Sequence, residues 1–410
     1  MSNHHCDIFI AGAGPAGLAT AIALRRSGAD VLIADALRPP IDKACGEGLM
    51  PDARLALAQL GIQIEPRHGA EFKGITFASD QTRVSADFPT GPGIGVRRTT
   101  LHQLLFDRAT ELGVRFAWNT PVILKDNQPP TLASEPIQYQ WFIGADGAAS
   151  RVRDWANLEA AHLTSRRFGF RAHYRIAPRS FDSGSQHVEV HWGPLGQAYI
   201  TPTGPEEVCV SAMTRHPPGS HSPHPHSQVR LTELLNSLPT LRDKLAAAPT
   251  TSTERGCLTL TRRLRRVTRN NVALIGDASG SVDAITGEGL ALAFRQALLL
   301  AQSLDTGSLR LYESHHARIL ALPQRMASLL LLLDRHPRLR NRTLQAFAAR
   351  PAIFRELLAV HIGDQSLLRF LLHHGPTLAA QILARPPISP QASTLPGNDP
   401  NRLEARAPTK

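Results

Sequence analysis

Residues 7–35 read DIFIAGAGPAGLATAIALRRSGADVLIAD, and the hydrophobic period changes twice within them. A short apolar run, Asp7 to Ala11, meets three glycines. An alanine- and leucine-rich helical stretch follows from Pro15 to Ser27, Gly28 stands where a helix stops, and Val31 to Ala34 forms a second apolar run ending at Asp35. This is a βαβ unit with GxGxxG (Gly12, Gly14, Gly17) at its first turn. Gly12 allows the tight turn, Gly14 lets backbone approach a pyrophosphate, and Gly17 lets helix and strand pack closely. Pro15 and Ala16 open the helix, whose unpaired N–H groups and positive dipole end face the phosphates. Asp35, eighteen residues beyond Gly17, is placed to accept from ribose hydroxyls.

The remainder of the 410 residues suits a large α/β protein. With 42% hydrophobic and 19% charged residues, there is material for a sizeable core and for two domains. A net charge of +11 fits an acidic or phosphorylated ligand or an anionic surface. An aromatic content of 5% and scattered basic residues argue against nucleic acid. The longest apolar run, Leu329 to Leu333, is far short of the roughly 20 residues a bilayer core demands, so any membrane contact is expected to be peripheral. Cys6, Cys45, Cys209 and Cys257 form no CxxC pair, and a strand-like run begins almost directly after Met1, so the reducing cytoplasm is the expected compartment.

Further along, residues 101–112 read as a helix, and Trp141 to Ala145 and Val272 to Ile275 as buried strands. From about 165 to 213 an alternating, more aromatic pattern predicts an inserted antiparallel sheet. Its Phe168, Phe170, His173, Tyr174, His187, His191, Trp192 and Tyr199 are expected to roof an apolar substrate. Residues 216–228, rich in Pro, Ser and His, predict a mobile loop; His216, His221, His224 and His226 lack the geometry that fixes a metal. From 306 to 384 the chain reads as leucine-rich helices interrupted by Pro323, Pro337, Pro351 and Pro376, the last two suited to first-turn positions. Residues 385–410 read as a disordered tail.

Two more strand ends carry glycine–aspartate turns. One is Gly144-Ala145-Asp146-Gly147 with Ser150, Val152 and Arg153; the other is Gly276-Asp277-Ala278-Ser279-Gly280, followed by Gly287-Glu288-Gly289 opening a helix. The set GxGxxG, GADGxxSxVR and GDAxG with GEG resembles the FAD-dependent aromatic hydroxylase superfamily, which also contains geranylgeranyl reductases and flavin-dependent halogenases. The resemblance covers about 300 N-terminal residues and implies bound FAD. It implies a doubly wound α/β fold: a Rossmann-like FAD-binding domain of the GR2 type, an inserted antiparallel β-sheet substrate domain and a helical C-terminal region. The expected boundaries are 1–75, 95–160 and 255–305 for the discontinuous cofactor domain, 76–94 and 161–254 for the substrate domain, 306–384 for the helices and 385–410 for the tail.

A bent, elongated cofactor needs one strand end for its AMP half and another for its flavin half. Asp277 suits the second: a carboxylate there can accept from a ribityl hydroxyl while neighbouring amides face the pyrophosphate. Gly276 precedes it in the same turn. Gly287 and Gly289 let backbone lie against the ring, and Glu288 shares that turn. The helix beyond aims its positive end at the pyrimidine side, where reduction places negative charge. Asp146 is the corresponding turn carboxylate of the middle motif, although Asp-Gly turns also form without ligands. Among the resembled proteins an arginine before the helix near Leu101 contacts the cofactor, and spacing selects Arg98. Arg262, Arg263, Arg265, Arg266 and Arg269 read chiefly as a solvated basic stretch.

Lys43-Ala44-Cys45-Gly46-Glu47 has a KxCG core that resembles the geranylgeranyl reductases. Cys45 could tune the flavin or give a proton to a substrate carbon, and Glu47 could do acid/base work; equally, Cys45 reads as a small buried residue beside a turn. Ser279, Gly280 and Thr286 depart from the hydroxylase pattern, and no WxWxIP signature marks a halogenase. A single GxGxxG leaves no second domain to hold NADH or NADPH, so the reductant docks transiently or a separate reductase supplies electrons. The expected activity is NAD(P)H-dependent monooxygenation of an apolar, polyketide-like or aromatic small molecule. The alternatives are reduction of carbon–carbon double bonds in an isoprenoid or lipid, and flavin binding without turnover.

Overall fold

In the computed structural model, which describes residues 5–79, 82–158, 160–176, 180, 186–215 and 230–383, the apolar run at the start of the chain becomes the strand His5–Ala11. It lies at the centre of a six-stranded sheet ordered Thr268–Arg269, Val272–Leu274, Gln138–Gly144, His5–Ala11, Val31–Asp35 and Arg115–Trp118. Every neighbouring pair is parallel except the Thr268–Arg269 edge. Covered on both faces, these strands carry few polar residues. On one face the helices Pro15–Arg26, Arg98–Glu111 and Gly289–Asp305 pack through Leu18, Ile22, Leu101, Leu105, Phe294 and Leu300, all fully buried or nearly so. On the other, Phe9 stacks on Phe142, ring centroids 5.2 Å apart. Because the strands run parallel, their C-terminal ends converge, and the GxGxxG turn and the two glycine–aspartate turns meet there.

A second sheet of seven strands is ordered Arg255–Leu264, Ala160–Arg175, Glu207–Thr214, Gly196–Gly204, His187–Trp192, Gly74–Ala78 and Arg83–Asp87. All neighbours are antiparallel except His187–Trp192 with Gly74–Ala78. The sequence reading stops this sheet near residue 213 and assigns 255–264 to the cofactor domain. Instead, Arg255–Leu264 pairs along Ala160–Arg175. Its interleaved arginines read as solvated charge, yet a half-buried edge strand alternates in this way.

One face of this sheet is covered by the helices Arg230–Asn236 and Pro239–Leu245. Phe170, Ala172 and Tyr174 pack there with Leu231, Leu234 and Leu241. The other face turns toward the helices Arg310–Arg335, Pro337–Ala349, Pro351–His361 and Leu367–Leu383, sharing a core of Phe77, Trp192, Met213, Met326, Phe347 and Phe354. Burying each such aromatic contributes roughly 1.5–3 kcal/mol. Pro337 and Pro351 open helices. Pro323 and Pro376 lie inside them, contrary to the first-turn place expected of Pro376. Each removes a helix hydrogen bond, and Pro323 is buried in its helix. The His-rich loop and the tail lie outside the described residues, and no helix among those described is long and apolar enough to cross a membrane.

Fully buried Arg167 ties the seven-stranded sheet to the Asp283 turn and to the C-terminal helices. Its guanidinium donates to Asp283 Oδ1 at 3.1 Å and to Gln197, and Gln197 donates in turn to Asp334. Arg215 also reaches Asp334, at 3.2 Å. Ser165 and the amide of Ile285 donate to Asp283 as well, each at 3.0 Å, which sets the conformation of the turn before Gly287.

Candidate functional site

Gly12 has φ +107°, a conformation side chains disfavour. A Cβ on Gly12 would stand 2.5 Å from the Ala145 carbonyl oxygen, and one on Gly17 would stand 1.9 Å from that of Gly12. These two glycines are fixed by protein contacts. Gly14 is different: its backbone (φ −68°, ψ 176°) is open to any residue, and a Cβ there meets nothing within 4 Å. It caps the helix Pro15–Arg26 without a side-chain hydrogen bond, so the first amides are left for a ligand.

Those amides border a cavity of about 950 Å³. Cys45 and Glu47 line it, as do Gly12, Gly14, Pro15, Ala16, Asp35, Arg98, Asp146, Gly276, Asp277, Gly287 and Gly289. Of the cofactor residues read from sequence, Gly17 and Glu288 do not. Asp35 accepts from the amides of Ala13 (2.7 Å) and Leu37 (2.8 Å), bracing the glycine turn while facing the cavity. Beneath that turn His102 Nε2 donates to the Ala13 carbonyl at 2.9 Å, and burial holds this imidazole below its usual pKa. Gly276, at φ +60°, sits so near the first turn that a Cβ would stand 2.8 Å from that of Ala16. Asp277, next to it, pairs with Lys43 at 3.4 Å.

Two of the expected cofactor carboxylates also make contacts within the protein. Asp146 accepts from Ser150 Oγ and from the amides of Arg151 (2.7 Å) and Val152 (3.1 Å), so its oxygens cap the short helix Arg151–Trp155. Glu288 turns away from the cavity into the protein. Burial, and then the nearby Asp52 carboxylate, push its pKa up to about 8. Its Oε2 has no hydrogen-bond partner among the described residues and lies 3.8 Å from His361 Nδ1. His361 Nε2 donates to the Thr286 carbonyl at 3.2 Å, so a C-terminal helix braces the Gly287 turn. Gly287, at φ +72°, and Gly289 both have open space where a Cβ would be.

The Lys43–Glu47 loop lines the cavity along its whole length. Glu47 adopts φ +60° and is buried. It accepts from the Arg98 amide (2.9 Å) and from His173 Nε2 (2.6 Å), with Arg171 Nε 3.7 Å away. Its own amide donates to Cys45 Sγ at 3.4 Å. Glu47, His173 and Cys209 could offer ligand atoms within 4.8 Å of one another. However, Arg171 already supplies the positive charge, and burial, then Glu47, hold the Cys209 thiol well above its usual pKa. This is a buried ion-pair cluster rather than a metal centre.

The predicted aromatic roof divides because strand side chains alternate. Trp192 and Tyr199 line the cavity, with Tyr199 donating to the Ile285 carbonyl at 3.2 Å. Phe170 also lines the cavity while packing with the outer helices, Tyr174 faces those helices, and Phe168 lies under Arg166. His173 serves Glu47, His187 pairs with Thr76 and Asp87, and His191 pairs with Glu189. Of the basic stretch, Arg262 donates to the Ala148 carbonyl and Arg269 to that of Ala156.

A family model described as FAD binding domain matches residues 5–326. The chain belongs to that family. It is an FAD-dependent oxidoreductase of the flavin monooxygenase-like fold. It is 27% identical to menaquinone reductase of Mycolicibacterium smegmatis over 80% of this chain and 86% of that one. It is 26% identical to digeranylgeranylglycerophospholipid reductase 1 of Methanopyrus kandleri over 69% of this chain and 76% of the other. Among solved structures, the flavin-dependent brominase Bmp2 superposes with a TM-score of 0.73 at 16% identity, covering 91% of this chain and 99% of that one; this likeness concerns the fold alone.

The cavity fits FAD on its own geometry. Four glycines, Gly14, Gly147, Gly287 and Gly289, leave Cβ-sized space along it, an uncapped helix end borders it, and Arg98, which lines it, has a buried Nε without a partner among the described residues. His102, His361, Arg167 and Asp283 were not legible as site residues. His102, His361 and Arg167 lie within helices or a strand and Asp283 in a turn, and each has a partner far away in sequence.

Proposed function

We propose that the protein reduces carbon–carbon double bonds in an isoprenoid chain carried by a quinone or lipid, the second of the activities considered from sequence. The observation that carries this reading is the apolar part of the cavity lining, which includes Phe72, Phe77, Trp192, Met326, Leu330 and Phe354. It suits a long hydrocarbon better than a small polar ring. The reductase names of relatives aligned over most of both chains support it. The monooxygenase reading has only the shared fold behind it, and fold does not fix reaction.

In this reading the amides after Gly14 take the pyrophosphate, Asp35 the ribose, Arg98 an anionic edge and Asp277 a ribityl hydroxyl. Gly287 and Gly289 lie against the ring. Bound FAD supplies a two-electron reduction. The chain's own residues orient the olefin, exclude water and deliver the balancing proton. Cys45 is the donor candidate: it lines the cavity, and its Sγ accepts from the Glu47 amide. Electrons arrive from transiently docked NADH or NADPH, or from a separate reductase.

The test is turnover of an isoprenoid quinone with chemically reduced flavin under strict anaerobiosis, followed by mass spectrometry. A product that keeps two added hydrogens in its isoprenoid chain after the head group has been reoxidised to the quinone supports the reading. Consumption only after oxygen is admitted, with an oxygen atom in the product, overturns it in favour of monooxygenation.

A further inference from the structure

Among the described residues, ten large hydrophobic side chains are markedly exposed, and six of them are leucines on two C-terminal helices. Leu329 and Leu332 belong to Arg310–Arg335; Leu368, Leu371, Leu372 and Leu383 belong to Leu367–Leu383. On the second helix, positions 368, 371, 372, 375, 379 and 383 fall along one stripe of Leu, Leu, Leu, Gly, Ala and Leu. Phe370, on the opposite side, is the only buried residue of those seventeen. Leu368 is 66% exposed, Leu372 71% and Leu383 75%. Contiguous exposure of this kind marks an interaction surface.

Two observations identify what meets it. First, the stripe continues into the mouth of the apolar cavity: Leu329, Leu332 and Leu371 are both exposed and cavity-lining. A substrate passing there would go from the outer medium to the site along leucine. Second, residues 314–383 carry nine arginines against three acidic residues. Arg335, Arg338 and Arg369 are exposed beside the leucines, and Arg342 donates to the Ile382 carbonyl at 3.3 Å, next to Leu383. Of the acids, Asp334 is already engaged by Arg167 and Arg215, and Glu356 by His374. Apolar stripe and flanking cations together match an anionic lipid surface, and no helix described is long and apolar enough to go deeper.

We infer that this face docks on the surface of an anionic bilayer, with the leucines inserted at the headgroup boundary and the cavity mouth opening into the acyl region. This deepens the reductase reading by naming where its substrate is collected, but it is tested without turnover, so either can fail alone.

The test is co-sedimentation of the full-length holoprotein with vesicles of phosphatidylcholine, with and without phosphatidylglycerol. Binding is expected to be far stronger with the anionic lipid. Replacing Leu368, Leu372 and Leu383 by Gln, none of which lines the cavity, should weaken it at least about 100-fold on both vesicle types. Arg338→Gln with Arg369→Gln should weaken it by about fivefold per arginine on anionic vesicles only. All variants should keep the wild-type melting temperature and bound flavin. Absence of binding, or equal binding by the leucine variant, would overturn the inference. So would a dimer in light scattering that becomes monomeric on leucine replacement, since a second copy would then be the occupant. Binding that appears only after removal of residues 384–410 would overturn it too, the occupant then being the chain's own C-terminal segment.

Discussion

Gly14 and Gly17 belong to one motif, yet their replacement should fail in different ways. Gly17→Ala places a Cβ 1.9 Å from the Gly12 carbonyl oxygen, a backbone atom that can yield only by opening the turn. Overpacking of this kind costs about 1–3 kcal/mol. Gly14→Val places its side chain where nothing lies within 4 Å and where the backbone is already extended. The folded apoprotein should tolerate it, with a melting temperature within about 2 °C of wild type. The added methyls occupy the space facing the free helix amides, so FAD loses two or more charge-assisted hydrogen bonds worth about 1.5–3 kcal/mol each. That is a loss in affinity of at least about 100-fold. Flavin-fluorescence titration and thermal scanning of the apoprotein read the two quantities separately. Normal FAD affinity in Gly14→Val, or destabilisation equal to that of Gly17→Ala, would refute the assignment of this cradle to the pyrophosphate.

Cys45→Ala should lower turnover by about 100-fold while leaving FAD affinity unchanged, as expected for loss of a proton donor; unaltered turnover removes the thiol from the reaction. Arg167→Met leaves Asp283 and Asp334 buried without their shared cation, and should cost about 3–5 kcal/mol in urea unfolding. Adding Asp283→Asn should recover part of that loss. Glu288 holds its proton up to about pH 8 in the fold but loses it near pH 4.5 when unfolded. Between those values the folded state binds more protons, so this group's contribution to stability is complete below about pH 4.5 and is lost as pH rises toward 8. Glu288→Gln should flatten that decline in unfolding measured from pH 5 to 8, and an unchanged slope would contradict the burial argument.

Much of the cofactor end was legible because its chemistry is local. Gly12–Gly17 and Gly276–Asp277 each lie within a few residues at a strand end, which a parallel sheet must bring together, and Gly287–Gly289 opens the helix that follows. What escaped depends on partners distant in sequence. Arg167 and Asp283 are 116 residues apart, and nothing in a strand pattern distinguishes a buried arginine from a solvated one. The same ambiguity hid the strand Arg255–Leu264. The aromatic roof was overcounted because composition does not say which of two alternating faces meets the cavity; Trp192 and Tyr199 do, whereas Tyr174 does not. The KxCG loop was legible as a motif, but not the Glu47–His173 contact beneath it, which only pairing of the inserted sheet creates.

The most direct test of the central claim is a single-turnover experiment. Holoprotein is reduced chemically without oxygen and mixed with an isoprenoid quinone, while the visible band of oxidised flavin is followed. The account predicts return of that band in step with loss of one side-chain double bond, still in the absence of oxygen. Flavin that stays reduced until oxygen enters, with the double bonds intact, would contradict it.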